Sequence, residues 1–182
     1  MGRSRVIKGS KVRLLSPEDN LLQVALHTAK HSFVRAPGFR LHTDVDRIAT
    51  VENINWEIFT KRVVQLRTKT AVYFSLAMAH ELLGTHIPHN VLKTLRPNRF
   101  KEKIITIWLK KVGIFNPDEP KWGKFGYIVF VSLLFDDVGD LLGGIFPPPK
   151  QLQAEYKLEQ SWLLPFYYLK RIFNLAIKRT NT

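Results

Sequence analysis

Two histidines one helical turn apart, His27 and His31, stand upstream of His42, Asp44 and Asp46, and all five are side chains able to hold a metal ion or move a proton. Histidines at i and i+4 share a helix face, the spacing with which zinc-binding helices present two imidazoles, and His42, Asp44 or Asp46 could add a ligand from a neighbouring helix. The general-base glutamate of the H-E-x-x-H pattern is absent, because position 28 is Thr and position 30 is Lys. The structural alternative is preferred: imidazoles and carboxylates bond to one another and to backbone and fix the packing of the first two helices, as buried polar groups must. His27, His31, His42, Asp44 and Asp46 therefore form a candidate structural or metal cluster, with no metal ligand assigned. Arg40, two residues before His42, carries a guanidinium suited to bidentate contact with phosphate.

The elements that position these residues are mostly helical. Ser16 is placed to cap a helix, Pro17 to occupy its first position, and Asp19 to complete an S-x-x-D box. Leu22, Ala25, Leu26, Ala29 and Phe33 recur at helical spacing until Pro37-Gly38 interrupts them. A second helix is predicted over Leu41 to Val51, a third from Trp56 to Leu66 behind an Asn55 cap, and a fourth from Thr70 to Leu83 ended by Gly84. Pro88 and Pro97 mark the starts of a short helix reaching Leu95 and a longer one reaching Gly113. Residues 115–126 read as a loop, 127–142 as one buried helix, and Pro147-Pro148-Pro149 as a stiff connector before an amphipathic basic helix from Trp162 to Lys178. Ahead of all these, Arg5 to Leu15 has the pattern of a hairpin turning at Gly9-Ser10, and a lone two-stranded hairpin needs another surface to lie against.

Composition narrows the classes. The chain has 182 residues, 45% of them hydrophobic, enough for one sizeable core. It contains no cysteine, which excludes disulfides, thiolate metal sites and cysteine catalysis and fits a reducing cytoplasm. The basic amino-terminal residues lack an apolar core of signal-peptide length, and the myristoylation pattern fails at Val6. Residues 127–142 are interrupted by Asp136, Asp137 and Asp140, so no transmembrane span is expected. A formal charge of +13, from 28 Lys and Arg against 15 Asp and Glu, favours anionic ligands. Trp162, Phe166, Tyr167, Tyr168 and Phe173, interleaved with Lys170, Arg171 and Lys178, suit either a docked terminal helix with a basic outer face or contact with a membrane or anionic partner.

In order along the chain, LLSPEDNLLQVALHTAKHSF, RLHTDVDRI, INWEIFTKRV and LRTKTAVYFSLAMAHELLGTHIP resemble the poorly characterised bacterial nucleotidyltransferase family of the DNA polymerase β-like superfamily, over about Leu14 to Pro97. Asn55 stands where that family more often has Asp, a change that preserves capping. The resemblance implies nucleotidyl transfer from a nucleoside triphosphate with Mg²⁺, carried by a Gly-Ser turn and an Asp-x-Asp strand placed ahead of the hairpin. Two carboxylates two apart on a strand share a face and can hold two ions. Gly9-Ser10 and Asp44-Val45-Asp46 match that pattern only superficially: a whole helix separates them, and positions two apart on a helix project about 200° from each other.

The resulting expectation is a mainly α, multi-helix bundle with an amino-terminal hairpin, the remnant edge of a nucleotidyltransferase sheet. Residues 1–15 are expected to form the hairpin, 16–146 a helical domain, and 147–182 the connector and terminal helix. No catalytic residue is assigned. His31, Arg40 and Asp46 are the candidate contacts to a nucleotide or acceptor, and the catalytic centre is expected from a preceding domain or a complementing chain. The alternative class is a noncatalytic basic helical module that binds a protein, nucleic acid or an anionic membrane.

Overall fold

The structure, a computed structural model, describes residues 4–6, 13–31, 38–112, 124–158 and 160–177. Among them it is mainly α-helical, with one short antiparallel pair of strands, β1 (Ser4–Val6) and β2 (Arg13–Leu15), in the register Ser4 to Leu15, Arg5 to Leu14 and Val6 to Arg13. The predicted Gly9-Ser10 turn lies outside the described residues. The chain divides into two compact units, Met1–Asp136 and Asp137–Thr182.

In the first unit, α1 (Pro17–His31), α2 (Gly38–Val51), α3 (Trp56–Gln65), α4 (Lys69–Leu83) and α5 (His89–Leu95) surround one core. It is built from Leu21, Leu22, Ala25, Val45, Ile54, Phe59, Val63, Val72, Leu76, Ala79, Ile87, Val91 and Leu95. Their spacing explains the arrangement: Leu21, Leu22, Ala25, Thr28 and Ala29 fall on one side of α1, so α1 buries a single face. Helix α4 is buried on more sides, with Thr70, Ala71, Val72, Phe74, Ser75, Leu76 and Ala79 all enclosed, and it forms the central rod. A second cluster, of Ala29, Ala71, Phe74, Ile105, Phe130 and Leu134, joins α1 and α4 to α6 (Arg99–Val112) and α7 (Lys124–Leu133).

Hydroxyl bonds fix the angles of this bundle. Ser75 Oγ donates to the Ala25 carbonyl at 2.6 Å, and Thr28 Oγ1 to the Leu41 carbonyl at 3.1 Å. Thr85 Oγ1 donates to Asp46 at 2.6 Å and to the Ala79 carbonyl at 3.0 Å. Each crosses between elements inside the core or at its edge, where a hydroxyl without a partner costs about 1–3 kcal/mol. Tyr73 Oη donates to Glu102 at 2.9 Å, and Arg96 Nε donates to the same carboxylate, fastening α4 to the start of α6.

The helix limits follow local chemistry closely. Asn55 accepts from the Ile58 N–H at 3.1 Å as the cap of α3, and Gly84 takes the left-handed conformation, φ 70°, that ends α4. Helix α2 begins at Gly38, three residues before the predicted Leu41. Asn98 rather than Pro97 caps α6, accepting from the Lys101 N–H at 2.8 Å.

Two expectations are corrected. The single buried helix over 127–142 is two helices, α7 and the exposed α8 (Val138–Ile145), because the aspartates between them leave the helix to act as caps. Asp136 accepts from the backbone N–H groups of Lys69 and Thr70, both at 2.7 Å, and so closes the amino terminus of α4, whose own Thr68 makes no side-chain cap bond. Asp137 caps α8 through the Gly139 N–H. The second correction is at the proline connector, which opens a helix, α9 (Pro149–Tyr156), because proline's fixed φ suits a first helical position.

The remote cap gives a prediction. Asp136→Ala removes a charged acceptor from two donors at a helix end, and urea unfolding is expected to show a loss of about 2–3 kcal/mol, with Asp136→Asn intermediate. Equal stability of all three proteins would show that water replaces the cap at no cost.

In the second unit, α8, α9, a 3₁₀ turn (Ser161–Leu163) and α10 (Leu164–Ile177) follow one another. Tyr168 Oη donates to the Pro147 carbonyl at 2.6 Å, and Arg171 donates to Glu155 at 2.7 Å.

Candidate functional site

The S-P-E-D sequence turns out to be a clamp between α1 and α3. Ser16 Oγ accepts from the Asp19 N–H at 3.2 Å, which is one limb of the expected capping box. The two carboxylates within the predicted box reach outward instead. Glu18 accepts from the Asn55 N–H at 3.0 Å, and Asp19 pairs with Arg62 on α3. Burial pushes the Glu18 carboxyl up, but bonds from the Asn55 and Glu18 backbone and from Ser16, with Arg62 nearby, hold it below its ordinary value. Asn55 thus caps α3 while its own N–H is held from α1, so Glu18 and Asp19 of one motif set the angle between two helices.

His42 lies fully buried on the inner face of α2 with Gly38 and Val45. Burial lowers its pKa to about 4, with hydrogen bonding to the Ser75 backbone opposing part of the shift. The imidazole is therefore neutral at ordinary pH and belongs to the seam between α2 and α4. His27 is exposed and His31 half-buried, and their rings lie 4.6 Å apart, tilted by 47°. Asp46, one turn after His42, faces Thr85 beyond the end of α4.

Asp44 stands on the outer face of α2, exposed, with Arg40 one turn before it and Arg47 one turn after. These positions, continued by Val51 at 75% exposure, follow the i, i+4, i+7, i+11 progression of a single stripe. Two guanidinium groups therefore stand on one face about 10 Å apart along the axis. Of the proposed contacts, Arg40 is on this stripe, while Asp46 lies roughly a third of a turn away from it and His31 belongs to α1. Arg47 was not singled out from sequence, although its i+7 spacing from Arg40 was there to be read.

The resemblance implies Mg²⁺, and Asp44-Val45-Asp46 is the pattern to test against it. The pair does not fit a two-metal site: both residues are helical, Val45 between them is in the core, and the carboxylates diverge by about 200°, one toward solvent and one toward Thr85. Among the described residues, no three His, Asp or Glu side chains come together as a group able to hold a metal ion.

Comparison with known families finds one similarity for this scaffold of clamp, seam and outer arginine face. Residues 2–84 match the model of a family described as uncharacterised nucleotidyltransferase. The matched segment takes in the hairpin and α1 to α4 and stops at Gly84, the left-handed residue that ends α4. It contains the S-P-E-D clamp, the Asn55 cap, the α2 stripe and the central rod. It covers somewhat less than half of the chain, and over that length the chain is similar to the family. No curated protein and no solved structure matches the chain.

Proposed function

We propose that this chain acts as the helical accessory and acceptor-recognition part of a nucleotidyltransferase, with metal-holding carboxylates contributed by a sheet domain that the β1–β2 hairpin joins. The family match supports nucleotidyl-transfer chemistry, and the hairpin supports the join, because each three-residue strand pairs only with the other among the described residues and two strands alone are marginal. The observation that carries the reading is the division of labour on α2. Its inner face, His42 and Val45, builds the core, whereas its outer face offers Arg40 and Arg47, suited to the phosphates of a nucleotide or of an anionic acceptor.

Several carboxylates that might have served catalysis are already committed. Asp19 holds Arg62, Asp46 holds Thr85, Glu102 holds Tyr73 and Arg96, and Asp136 caps α4. The chain's part in the reaction is therefore to bind and orient. A guanidinium pair placed about 10 Å apart can hold two separate phosphate groups, or one phosphate and one acceptor carboxylate.

Calorimetric titration of the purified chain with nucleoside triphosphates tests this. The expected result is binding that the double variant Arg40→Ala, Arg47→Ala weakens by about tenfold or more, since a hydrogen bond to a charged group contributes about 1.5–3 kcal/mol. Thermal stability should be unchanged, because both side chains are exposed. Absence of nucleotide binding, together with salt-sensitive binding to nucleic acid, would overturn the reading in favour of a noncatalytic basic module.

A further inference from the structure

The aromatic side of α10 has a composition and a charge that specify its occupant. Trp162, in the 3₁₀ turn, and Phe166, Leu169 and Phe173 on the helix are 74%, 63%, 67% and 64% exposed. Their numbers run i, i+4, i+7, i+11, one continuous stripe. The opposite side is the one that anchors the helix within its unit: Tyr168 bonds to the Pro147 carbonyl, its ring lies 6.1 Å from that of Phe146, Tyr167 lies 5.0 Å from Tyr156, and Arg171 is bonded to Glu155. The stripe therefore points away from the contacts that hold α10.

Charge completes the pattern. From Gln160 to Thr182 the sequence holds Lys170, Arg171, Lys178 and Arg179 and no Asp or Glu. Lys170 borders the stripe, its ammonium 5.3 Å from the Tyr167 ring centroid and 6.0 Å from that of Tyr156. A second copy of the chain meeting this face would bring cations to the rim with no carboxylate in the segment to offset them. A bilayer with anionic headgroups offers the complement in one surface: an acyl boundary for Trp, Phe and Leu, and phosphate for the cations beside them. No helix among the described residues is long and apolar enough to cross a membrane, so the helix would lie in the plane of the interface.

We propose that α10 docks the chain onto the surface of an anionic lipid bilayer, inserting Trp162, Phe166, Leu169 and Phe173, with Lys170 at the level of the phosphates. None of these residues belongs to the α2 arginine stripe.

Sedimentation of the full chain with vesicles tests the proposal, using phosphatidylcholine alone and phosphatidylcholine mixed with phosphatidylglycerol. The expected result is retention on the mixed vesicles and little on the neutral ones. Phe166→Ser with Phe173→Ser should weaken that retention by about tenfold or more, the loss expected from removing two inserted rings, with helical circular dichroism unchanged. Lys170→Glu should reduce the preference for anionic lipid while leaving the fold intact. The proposal is overturned if the chain stays in solution with both vesicle types, if it binds both equally, or if the double serine variant binds as well as the parent. It is equally overturned if the vesicles leave the chain in solution and the double variant instead abolishes a concentration-dependent dimer, which would assign the face to a second copy.

Discussion

Phe59→Ala is expected to lower the stability of the first unit by about 3–5 kcal/mol, the range for deleting a fully enclosed phenyl group from a core that cannot collapse around the gap. Phe59 is completely buried, and with Val63 it is all that α3 places in the interior. Its ring meets Trp56 edge to face at 5.7 Å and belongs to the same cluster as residues of α1, α2, α4 and α5. Loss of the ring therefore detaches α3, and with it the far end of the S-P-E-D clamp, where Asp19 and Arg62 meet. With net stabilities of about 5–15 kcal/mol typical of domains, this single change should bring the unit close to unfolding at room temperature. Urea denaturation followed by circular dichroism checks it, and a loss below about 1 kcal/mol would mean that the core is not organised around this residue.

Acidification is expected to destabilise the chain through His42 from about pH 6.5 downward, starting before the carboxylates as a class are protonated. In the unfolded chain the imidazole titrates near 6.5, whereas in the folded protein burial lowers that value to about 4. Between those pH values the unfolded state binds more protons, so the stabilisation is complete above pH 6.5 and is lost as the pH falls through the folded value. The interval corresponds to a loss of about 3 kcal/mol. Glu18 and Glu102, whose carboxyls sit below their ordinary values, lose stabilisation in the same direction but at lower pH. Comparing the parent with His42→Leu in urea titrations at pH 7 and pH 4.5 isolates the imidazole. The parent should lose far more stability than the variant over that interval, and equal losses would show that His42 is protonated in place without penalty.

The helices were legible where side chains interact locally. Ser16, Asn55 and Gly84 mark boundaries by themselves, and the apolar periodicity of α1 to α4 states which sides turn inward. Long-range use of the same residue types was not legible. Asp136 and Asp137 read as polar interruptions of one apolar helix, because nothing local reveals that Asp136 bonds to Lys69 and Thr70, sixty-odd residues earlier in the chain. Asp19 likewise matched a capping box, but its carboxylate is taken by Arg62 from another helix. At the candidate site, the helical reading of residues 41–51 was enough to separate Asp44 from Asp46. It was not enough to place His42 fully inside the core, since an isolated histidine in an amphipathic pattern is compatible with either side.

The proposed phosphate binding follows from the two faces of α2, on which Arg40 and Arg47 are turned outward and Asp44 and Asp46 do not form a metal pair. The most direct measurement is nucleoside triphosphate affinity with Mg²⁺ and with the ion chelated, for the parent, Asp44→Asn, and the Arg40→Ala, Arg47→Ala double variant. The predicted result is affinity that survives chelation and the Asp44 change but falls with the arginines. Affinity that vanishes on chelation and with Asp44→Asn, while the arginine variant binds normally, would contradict it.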